Sequence, residues 1–388
     1  MSKKYIFKNS IILPMTKMGK NNLLKTAVVV SVMLISVLFS GCISNKEIIT
    51  IRTTGATFPQ YQIQKWIDVY QQSHPNVKIE YEGGGSGHGQ EAFLHGLTHI
   101  GRTDPPVKQD TWNKFLNTGD QPLQFPEIVG AVVVAYNLPG VEELKLSREV
   151  LVDIFIGDIE YWDDEAIKQL NPDANLPHEK IKVVHRSDSS GTTAIFTTYL
   201  SLISEEWANE VGAGKTVDWP VDKMGRGLAG KGNPGVVAIL KQTKGSICYT
   251  ELSFAIEENL AVAFIENKNG NFVKPTKETI QAAVSQVSPF IPDPTEGYKE
   301  DIKQLLDAEG NDTYPIVAFT HLLVWQNKNG KHYSSEEAKA IKDFLTWILT
   351  EGQKEEDLAP GYVALPQEVA QIGLNAVNMI QELSLIHI

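Results

Sequence analysis

The sequence of 388 residues has little cysteine, no excess of basic charge and no apolar run long enough to span a membrane. With only two cysteines, Cys42 and Cys248, it cannot form a disulfide framework. Acidic residues outnumber basic ones by 47 to 35, and the net charge of −12 argues against nucleic acid as a partner. The apolar run 27–39 is shorter than the about 20 residues that a membrane-spanning helix needs.

The first 41 residues are typical of an export signal. They carry six lysines and no acidic residue, and their apolar run has the length of a signal-peptide core. The run ends at Phe39-Ser40-Gly41 directly before Cys42, an arrangement that resembles the lipobox of exported lipoproteins. We therefore predict cleavage before Cys42, a lipid on its thiol and a location on the outer face of the cytoplasmic membrane. An uncleaved anchor helix is the alternative, and it implies the same side of the membrane.

The other end of the sequence and the second cysteine carry no predicted function. The tail 383–388 is apolar and ends abruptly, so we predict that it is not native. Cys248 follows Gly245-Ser246-Ile247 in a strand-like context, which predicts a small buried side chain rather than a reactive thiol.

Strand-like and helix-like segments alternate through the rest of the chain. Apolar or alternating runs predict strands, at 49–52, 77–81, 128–136 and 181–185. Helical spacing of apolar residues predicts helices, at 61–73 and 192–203. The alternation predicts an α/β fold with a largely parallel sheet, and the length suggests about two domains. The glycine-rich stretch 225–235 lacks the Gly-Lys-Ser/Thr of a P-loop and is interpreted as an irregular loop.

Two segments between a predicted strand and a predicted helix have the composition of an anion site. In the run 54–59, Thr57 is placed to cap the coming helix, whose free amides and positive dipole end suit an anion. In the run 82–89, glycines allow the backbone to approach a ligand closely, and Ser86 adds a hydroxyl donor. A simple helix cap and a flexible turn are the alternatives.

Asp104, which Pro105 keeps out of a helical conformation, indicates an anion that carries a proton. A carboxylate repels a bare anion, but it can accept a hydrogen bond from a protonated one. Phosphate carries a proton near neutral pH and sulfate does not, so a single acceptor would reject sulfate through charge repulsion and an unpaired buried group. A carboxylate that only stabilises a turn is the alternative.

The run around Arg186 carries the strongest signal for anion binding. A strand delivers Arg186, whose planar guanidinium suits bidentate binding of an oxyanion, and Asp188 is near enough to hold it. Ser190, Gly191 and Thr192 then open a helix, so hydroxyl and amide donors converge at its N-terminus. A purely structural cap would not need an arginine and three consecutive donors.

No enzyme signature accompanies these segments. The Gly-x-Ser-x-Gly elbow of hydrolases is not met around Ser86, because His88 stands at its last position. His88, His95 and His99 lack a carboxylate at zinc-like spacing and are interpreted as non-ligands. We therefore predict a binding protein without catalysis, metal or cofactor. A secreted phosphoester hydrolase that uses Ser86 or Ser190 is the alternative.

Several runs match a known family. They include Gly-Ala-Thr-Phe-Pro at 55–59 and Arg-Ser-Asp-Ser-Ser-Gly-Thr at 186–192, and also segments without binding chemistry, such as Tyr-Trp-Asp-Asp-Glu-Ala-Ile at 161–167 and Trp-Pro at 219–220. From about residue 49 to about residue 365, the chain resembles the periplasmic phosphate-binding proteins of high-affinity phosphate ABC importers.

The resemblance implies a periplasmic-binding-protein-like fold, with two α/β lobes joined by two hinge strands and the ligand in the cleft between the lobes. The crossings are expected near Pro126–Val129 and Tyr314–Ile316. The first lobe would then be discontinuous, with residues 42–126 plus 315–382, and the second lobe would contain residues 127–314.

The resemblance also implies the phosphate ligands. Beyond the hydroxyl of Thr57, it adds the backbone amide of Phe58. Asp104 would accept the phosphate proton, and Arg186, held by Asp188, would pair with the anion. The remaining donors would come from the glycine loop and the second helix N-terminus, namely Ser86, Ser190, Gly191 and Thr192. Arg102 stands where relatives often have a small residue, so it could lie beside the site, pair with Asp104 or face solvent.

The implied partners are inorganic phosphate and the permease subunits of an ABC importer, served by a monomer that a lipid holds at the membrane. Sulfate or molybdate is the alternative ligand, and a surface sensor or adhesion protein is the alternative role. The acidic net charge does not oppose anion binding, because charges farther away than about 8–10 Å are screened at physiological salt.

Overall fold

The structure is a computed structural model that describes residues 48–286, 291–298 and 305–383. Cys42, the predicted signal segment and the tail from residue 384 onward lie outside the described residues. Among the helices of the described ranges, none has the length and apolar character to cross a membrane.

The described chain forms strands that alternate with helices, as predicted. The strands are β1 (Ile49–Gly55), β2 (Val77–Gly83), β3 (Ile100–Thr103), β4 (Pro122–Asn137), β5 (Lys145–Leu146), β6 (Lys182–Arg186), β7 (Gly227–Gly230), β8 (Ser246–Glu251), β9 (Ala261–Val262), β10 (Phe264–Glu266), β11 (Phe272–Val273) and β12 (Val317–Trp325). The helices are α1 (Gln60–Ser73), α2 (Ser86–Leu94), α3 (Gln109–Leu116), α4 (Arg148–Ile156), α5 (Glu165–Leu170), α6 (Gly191–Ile203), α7 (Glu205–Glu210), α8 (Pro220–Lys223), α9 (Gly232–Gln242), α10 (Leu252–Glu257), α11 (Lys277–Gln286), α12 (Ser335–Leu349) and α13 (Gln367–Asn378).

The main sheet is mixed, with the strand order β2-β1-β3-β12-β4-β8-β6-β7 and with β9 beside β4. The strand pairs within β2-β1-β3 and within β8-β6-β7 are parallel. The pairs between them are antiparallel, because β12 pairs in this way with β3 and with β4, and β4 pairs in this way with β8. The prediction of a largely parallel sheet is therefore wrong for its centre. There, β4 carries the chain from one parallel part of the sheet to the other, and β12 carries it back in the opposite direction. We call β2-β1-β3 the first half-sheet and β8-β6-β7 the second half-sheet.

Strand β4 connects the two half-sheets, because it pairs directly with β8 of the second and through β12 with β3 of the first. Its residues 122–131 pair with β12, and from Val132 onward it pairs with β8. The register of the β4–β12 pair shifts between Thr320 and His321, and Glu127 is the extra residue on β4, which makes a β-bulge. This bulge falls inside the crossing expected near residues 126–129, and the change of partner follows a few residues later.

Buried helix faces hold the half-sheets in place. Helix α1 buries Ile63, Trp66, Ile67 and Tyr70, the spacing that predicted it, and the Trp66 indole donates to the carbonyl of Gly352 at 2.8 Å. Helix α6 is buried along its first ten residues, from 191 to 200. A helix that is buried all round belongs to the protein core, so its N-terminus is held rigidly.

The glycine-rich stretch 225–235 is not the irregular loop that we predicted. It contains β7 and the first turn of α9, and backbone atoms of Gly235 lie directly against Gly230. Glycine there permits close packing of a strand against a helix rather than mobility. Cys248 is a free, fully buried side chain of β8, as predicted.

The carboxyl ends of both half-sheets lead into the predicted anion-binding segments. Residues 56–58, 84–86 and 104 follow β1, β2 and β3, while residues 187–192 and 231–233 follow β6 and β7. In open α/β sheets ligands bind beyond the carboxyl ends of the strands, so the topology directs these segments to one place.

Candidate functional site

Asp104 follows β3 directly and is only 1% exposed. The Ser86 hydroxyl donates to its Oδ2 at 3.2 Å and accepts from its backbone N–H at 3.1 Å. Thr320 donates to Oδ1 at 3.1 Å, and Nδ1 of His321 bonds to the Asp104 carbonyl oxygen at 2.9 Å. Hydroxyls from two different elements thus hold both carboxyl oxygens in place.

The surroundings of Asp104 make it a proton acceptor that works near neutral pH. Burial raises its pKa to about 7, although the hydrogen bond from Thr320 and the charge of Arg186 oppose the shift. Burial also lowers the pKa of His321 to about 4, so its ring is neutral at pH 7. Asp104 can therefore either take or supply the proton of a hydrogen bond to an oxyanion.

Arg186 ends β6 and is held by Asp188. Its Nε donates to Asp188 Oδ1 at 2.8 Å and its Nη2 to Oδ2 at 2.5 Å, a bidentate pair. The Gly232 amide also donates to Asp188 Oδ1, at 2.9 Å. Burial alone would raise the pKa of Asp188, but the hydrogen bond and charge of Arg186 outweigh it and lower the pKa. Asp188 occupies one edge of the guanidinium, and Nη1 on another edge reaches Thr192 Oγ1 at 3.4 Å.

The N-terminus of α6 faces the Asp104 carboxyl. Ser190 caps the helix by accepting from the amide of Thr193 at 3.1 Å. Gly191 begins the helix, and a Cβ at this position would collide with Ser86 Oγ and Asp104 Oδ2. Only a glycine permits this close approach of α6 to Asp104, and the predicted donor run 190–192 has a glycine at this position.

Thr57 does not cap α1, contrary to our prediction. The helix begins after Pro59 without a side-chain cap, because the chain makes one more turn after β1. Thr57 Oγ1 instead accepts hydrogen bonds from the backbone N and from Nδ2 of Asn233, both at 3.2 Å. The Asn233 amide also donates to Thr192 Oγ1 at 3.3 Å, so it links the segments after β1 and β6.

Two tyrosines fix the backbone of the segment 56–58. The Tyr81 hydroxyl donates to the carbonyl of Ala56, and the Tyr362 hydroxyl lies 2.7 Å from the carbonyl of Phe58. Because a trans peptide directs its N–H opposite to its C=O, the Thr57 amide points away from Tyr81. The Thr57 amide is thereby held in a fixed orientation, whereas the Phe58 carbonyl belongs to the peptide bond of Pro59, which has no N–H.

The structure brings the predicted phosphate ligands together, whereas Cys42, the predicted lipidation site, lies outside the described residues. Residues of the two half-sheets touch directly, since the Gly87 amide donates to the carbonyl of Ser189 at 2.9 Å and Asn233 bonds to Thr57. The predicted ligands are all buried, namely Thr57, Phe58, Ser86, Asp104, Arg186, Ser190, Gly191 and Thr192. Their roles as phosphate ligands stay predictions.

Sequence reasoning missed several residues that support the site. Asn233 lies in a glycine-rich run that we interpreted as a loop. Its polar side chain directly before Pro234 was a local signal that could have marked it as a site residue. Thr320 and His321 interrupt an otherwise apolar strand, which also marks them. No local pattern singles out Tyr362, because its contact with Phe58 joins residues 304 positions apart.

Arg102 neither pairs with Asp104 nor faces solvent. It is fully buried, and its Nε donates to both carboxylate oxygens of Glu127 at 3.1 and 3.2 Å. Its Nη1 donates to Thr53 Oγ1, while its Nη2 has no hydrogen-bond partner among the described residues. Glu127 is the bulge residue of β4, so this ion pair ties β3 to the crossing strand over β12.

Among the described residues, no histidine lies at hydrogen-bonding distance from Ser86 Oγ or Ser190 Oγ, the hydroxyls that a hydrolase would use. Ser86 Oγ contacts the carboxyl and amide of Asp104, and Ser190 Oγ caps α6. Within the described ranges, no group of three or more His, Cys, Asp and Glu side chains is placed to hold a metal ion.

Comparisons with known proteins agree with this geometry. The sequence profile of the PBP superfamily domain matches residues 42–351. The chain is 73% identical over 357 residues to the phosphate-binding protein PstS of Methanocaldococcus jannaschii, across 88% of this chain and 92% of the relative. It is 39% identical over 345 residues to the phosphate-binding protein PstS of Pasteurella multocida, across 87% and 93%.

Solved structures share the fold at lower identity. The periplasmic phosphate-binding protein PfluDING, bound with phosphate, has a TM-score of 0.67 at 22% identity, covering 88% of this chain and 100% of that one. A phosphate-binding protein from Stenotrophomonas maltophilia has a TM-score of 0.62 at 20% identity, covering 84% and 93%. The architecture is therefore that of the two-lobed binding proteins.

Proposed function

The chain belongs to the PBP superfamily and, within it, to the phosphate-binding proteins, and on this premise we propose that it captures inorganic phosphate outside the cytoplasm for an ABC importer. The observation that carries the proposal is the pairing of a buried acceptor with converging donors. Asp104 lies against Gly191 at the N-terminus of α6, and Arg186 reaches Thr192 in the same turn. The donors neutralise an oxyanion, and the acceptor requires that it carry a proton.

Phosphate fits this arrangement better than sulfate does. The guanidinium of Arg186 and the amides at the start of α6 suit any tetrahedral oxyanion. Asp104 distinguishes between these oxyanions, because its ionised carboxylate would lie against a sulfate oxygen with no proton to form a hydrogen bond. A buried acceptor without a donor costs about 1–3 kcal/mol, and more when it is charged.

Calorimetric titration with phosphate and with sulfate tests the proposal. Wild-type protein should bind phosphate and, at pH 8, show no measurable sulfate binding. Asp104→Asn should weaken phosphate binding about 10- to 100-fold, because a charge-assisted hydrogen bond contributes about 1.5–3 kcal/mol. The same change should improve sulfate binding, because an amide can donate.

Asp120→Asn is the matched control. Asp120 is also buried, but its Oδ1 accepts from the backbone amides of Gln121, just before β4, and of Lys328, just after β12. This variant should keep the wild-type preference for phosphate. An unchanged phosphate-to-sulfate ratio in Asp104→Asn would contradict the role of Asp104, and no phosphate binding by the wild type would contradict the function itself.

We also propose that a lipid on Cys42 holds a monomeric protein at the outer face of the membrane. The apolar run before Cys42 supports this arrangement. Mass spectrometry of the protein purified from its native membrane should show a chain that begins at a diacylated Cys42. An unmodified Cys42 in that sample would refute the anchor.

The lobe boundaries proposed are residues 42–126 plus 315–382 for one lobe and 127–314 for the other. The change of β4 partners between residues 131 and 132 supports a crossing near the first boundary. On the return chain, the Val132 amide donates to the carbonyl of Ile316 at 2.9 Å, next to the second boundary. Hydrogen exchange with and without phosphate should place the protection differences at these two crossings.

A further inference from the structure

The hydroxyls of Thr57 and Thr192, two of the predicted phosphate ligands, already accept hydrogen bonds from the protein. Thr57 Oγ1 accepts from the backbone N–H and from Nδ2 of Asn233, both at 3.2 Å. Thr192 Oγ1 accepts from Arg186 Nη1 at 3.4 Å and from the same Nδ2 at 3.3 Å. A hydroxyl oxygen has two lone pairs and one hydrogen. In both threonines the lone pairs are therefore taken, and the hydrogen remains.

The two remaining hydroxyl hydrogens have no acceptor among the described residues. Both threonines are buried, with Thr57 3% exposed and Thr192 0% exposed, and each hydroxyl only accepts within those ranges. A buried donor without an acceptor costs free energy, so such donors are rare in folded proteins. The two hydrogens are therefore available to an anion that lies beside both threonines, as the predicted phosphate does.

This arrangement depends on which end of the Asn233 side-chain amide faces the threonines. In the observed orientation, Nδ2 uses its two hydrogens on the two threonines, and Oδ1 accepts from Thr250 Oγ1 at 3.2 Å. With the amide turned over, Oδ1 would face the threonines and take their hydroxyl hydrogens. The Thr250 hydroxyl, which is fully buried, would then lose the one acceptor that it has among the described residues. This loss disfavours the turned amide.

Both members of the Thr250–Asn233 pair are held by secondary structure. Thr250 lies in β8, where it pairs with Val133 of β4. Asn233 lies in the first turn of α9, where backbone amides have no partner inside the helix. Its N–H donates to Thr57 instead, so the start of α9 fixes one lone pair of that hydroxyl. The strand and the helix thus fix the positions from which the amide is oriented.

We propose that Thr250 is a positioning residue for phosphate. Its hydroxyl holds the Asn233 amide in the orientation that makes both threonine hydroxyls donors only. This inference rests on the proposed function and adds the reason why hydroxyls that are able to accept a hydrogen bond donate to the ion instead. Asp104 then remains the predicted acceptor, and the donors are ordered before the ion arrives. Ordering the donors in advance lowers the cost of binding.

Calorimetric titration of Thr250→Val with phosphate tests this role. Valine has nearly the shape of threonine but no hydroxyl, so the Asn233 amide is free to turn over and to take the hydroxyl hydrogens from the ligand. Phosphate affinity should fall about three- to tenfold, the range of about one net hydrogen bond. Thr250→Ser restores a hydroxyl, and its affinity should lie within about twofold of the wild type.

Thr98→Val is the matched control. Thr98 is also buried, and its hydroxyl donates to the carbonyls of Arg52 and Ile100, each at 3.0 Å and outside the site. Urea unfolding without phosphate should show a loss of stability in both valine variants, because each loses a buried hydrogen bond. Of the two, only Thr250→Val should lose affinity, which separates positioning from a general loss of structure.

Neutron diffraction of the wild type with phosphate, in crystals exchanged into heavy water, locates the hydrogens directly. The hydroxyl deuterium atoms of Thr57 and Thr192 should point at phosphate oxygens, and both Nδ2 deuterium atoms of Asn233 should point at those hydroxyls. A hydroxyl deuterium directed at the Asn233 amide would overturn the inference, and so would an unchanged affinity of Thr250→Val. A wild type that does not bind phosphate in calorimetry would overturn the proposed function as well.

Discussion

Arg186 and Arg102 are both buried, and they have different surroundings. Arg186 pairs with Asp188 through one edge of its guanidinium and extends Nη1 to Thr192 at the site. Arg102 gives its Nε to Glu127 and its Nη1 to Thr53, and both members of this ion pair are fully buried. The first pair is part of the predicted phosphate site, and the second joins strands of the sheet.

The difference shows why a buried charge alone does not identify a binding residue. What distinguishes Arg186 is its place beyond the carboxyl end of β6, next to a helix N-terminus. Arg102 lies within β3, where neighbouring strands surround it. Position relative to the strand end therefore separates the predicted ligand Arg186 from the structural ion pair of Arg102.

Removing Arg186 should have the largest effect and should act on binding. In Arg186→Met/Asp188→Asn, both charges of the pair are removed, so no buried carboxylate is left unpaired. Phosphate affinity should fall by about 30- to 5000-fold, because truncating one partner of a buried charge pair costs about 2–5 kcal/mol. Calorimetry measures the loss relative to the wild type, and a loss of less than about tenfold would contradict the role of Arg186.

Breaking the other pair should act on stability instead. Glu127→Gln leaves Arg102 buried without a counter-charge, and the free energy of unfolding should fall by about 3–5 kcal/mol. Arg102→Met/Glu127→Met should recover most of this loss, because the desolvation of two charges disappears with them. Urea unfolding measures both variants.

The outcome for binding completes the comparison of the two pairs. Phosphate affinity of the folded Arg102→Met/Glu127→Met protein should stay within about threefold of the wild type, because neither side chain is a predicted ligand. A loss as large as that of the Arg186 variant would remove the distinction between the two arginines.

Asn233 provides a test of intermediate size. Its side chain joins Thr57 and Thr192 from the two halves, so Asn233→Ala should weaken phosphate binding about tenfold, in line with about 1 kcal/mol for each lost hydrogen bond. Asn137→Ala is the control, because Asn137 donates to the carbonyl of Leu240 outside the site. Equal affinities of the two variants would show that the bridge does not stabilise the bound form.

The smallest expected effect depends on pH and separates Asp104 from Asp188. The pKa of Asp104 is raised to about 7, so as the pH falls below 7 this carboxyl becomes protonated and can donate to sulfate. The pKa of Asp188 is lowered, so it stays ionised and keeps Arg186 in place. Sulfate should therefore compete weakly with phosphate at pH 5.5 and not measurably at pH 8.5, as titrations in competition would show. Equal competition at both pH values would contradict the assignment.

Much of the site could be read from the sequence because its ligands lie in short runs. Arg186, Asp188 and Ser190 are close in the chain, and strand–helix periodicity placed them at a helix start, as the structure has it. Asp104 and Ser86 were also found through local turn and glycine signals. These predictions needed no knowledge of which segments meet in space.

The contacts that sequence reasoning missed are those between distant segments. Thr57 was expected to cap a helix, but its hydroxyl bonds to Asn233, 176 residues away. Arg102 could not be assigned, because its partner Glu127 lies on a strand that is not its neighbour in the sheet. The antiparallel centre was missed for the same reason, since a strand's periodicity does not reveal the direction of its partner.

Because β4 pairs first with β12 and then with β8, the two halves of the protein cannot be separated as independent units. Residues 122–131 complete one part of the sheet and residues 132–137 complete the other, so no cut of the chain at this crossing leaves two whole pieces. An isolated fragment 127–314 would carry a long apolar strand with an unpaired edge, which favours aggregation. We therefore expect the two halves to fold together, and attempts to build a split phosphate reporter from them should place the break in a surface loop instead.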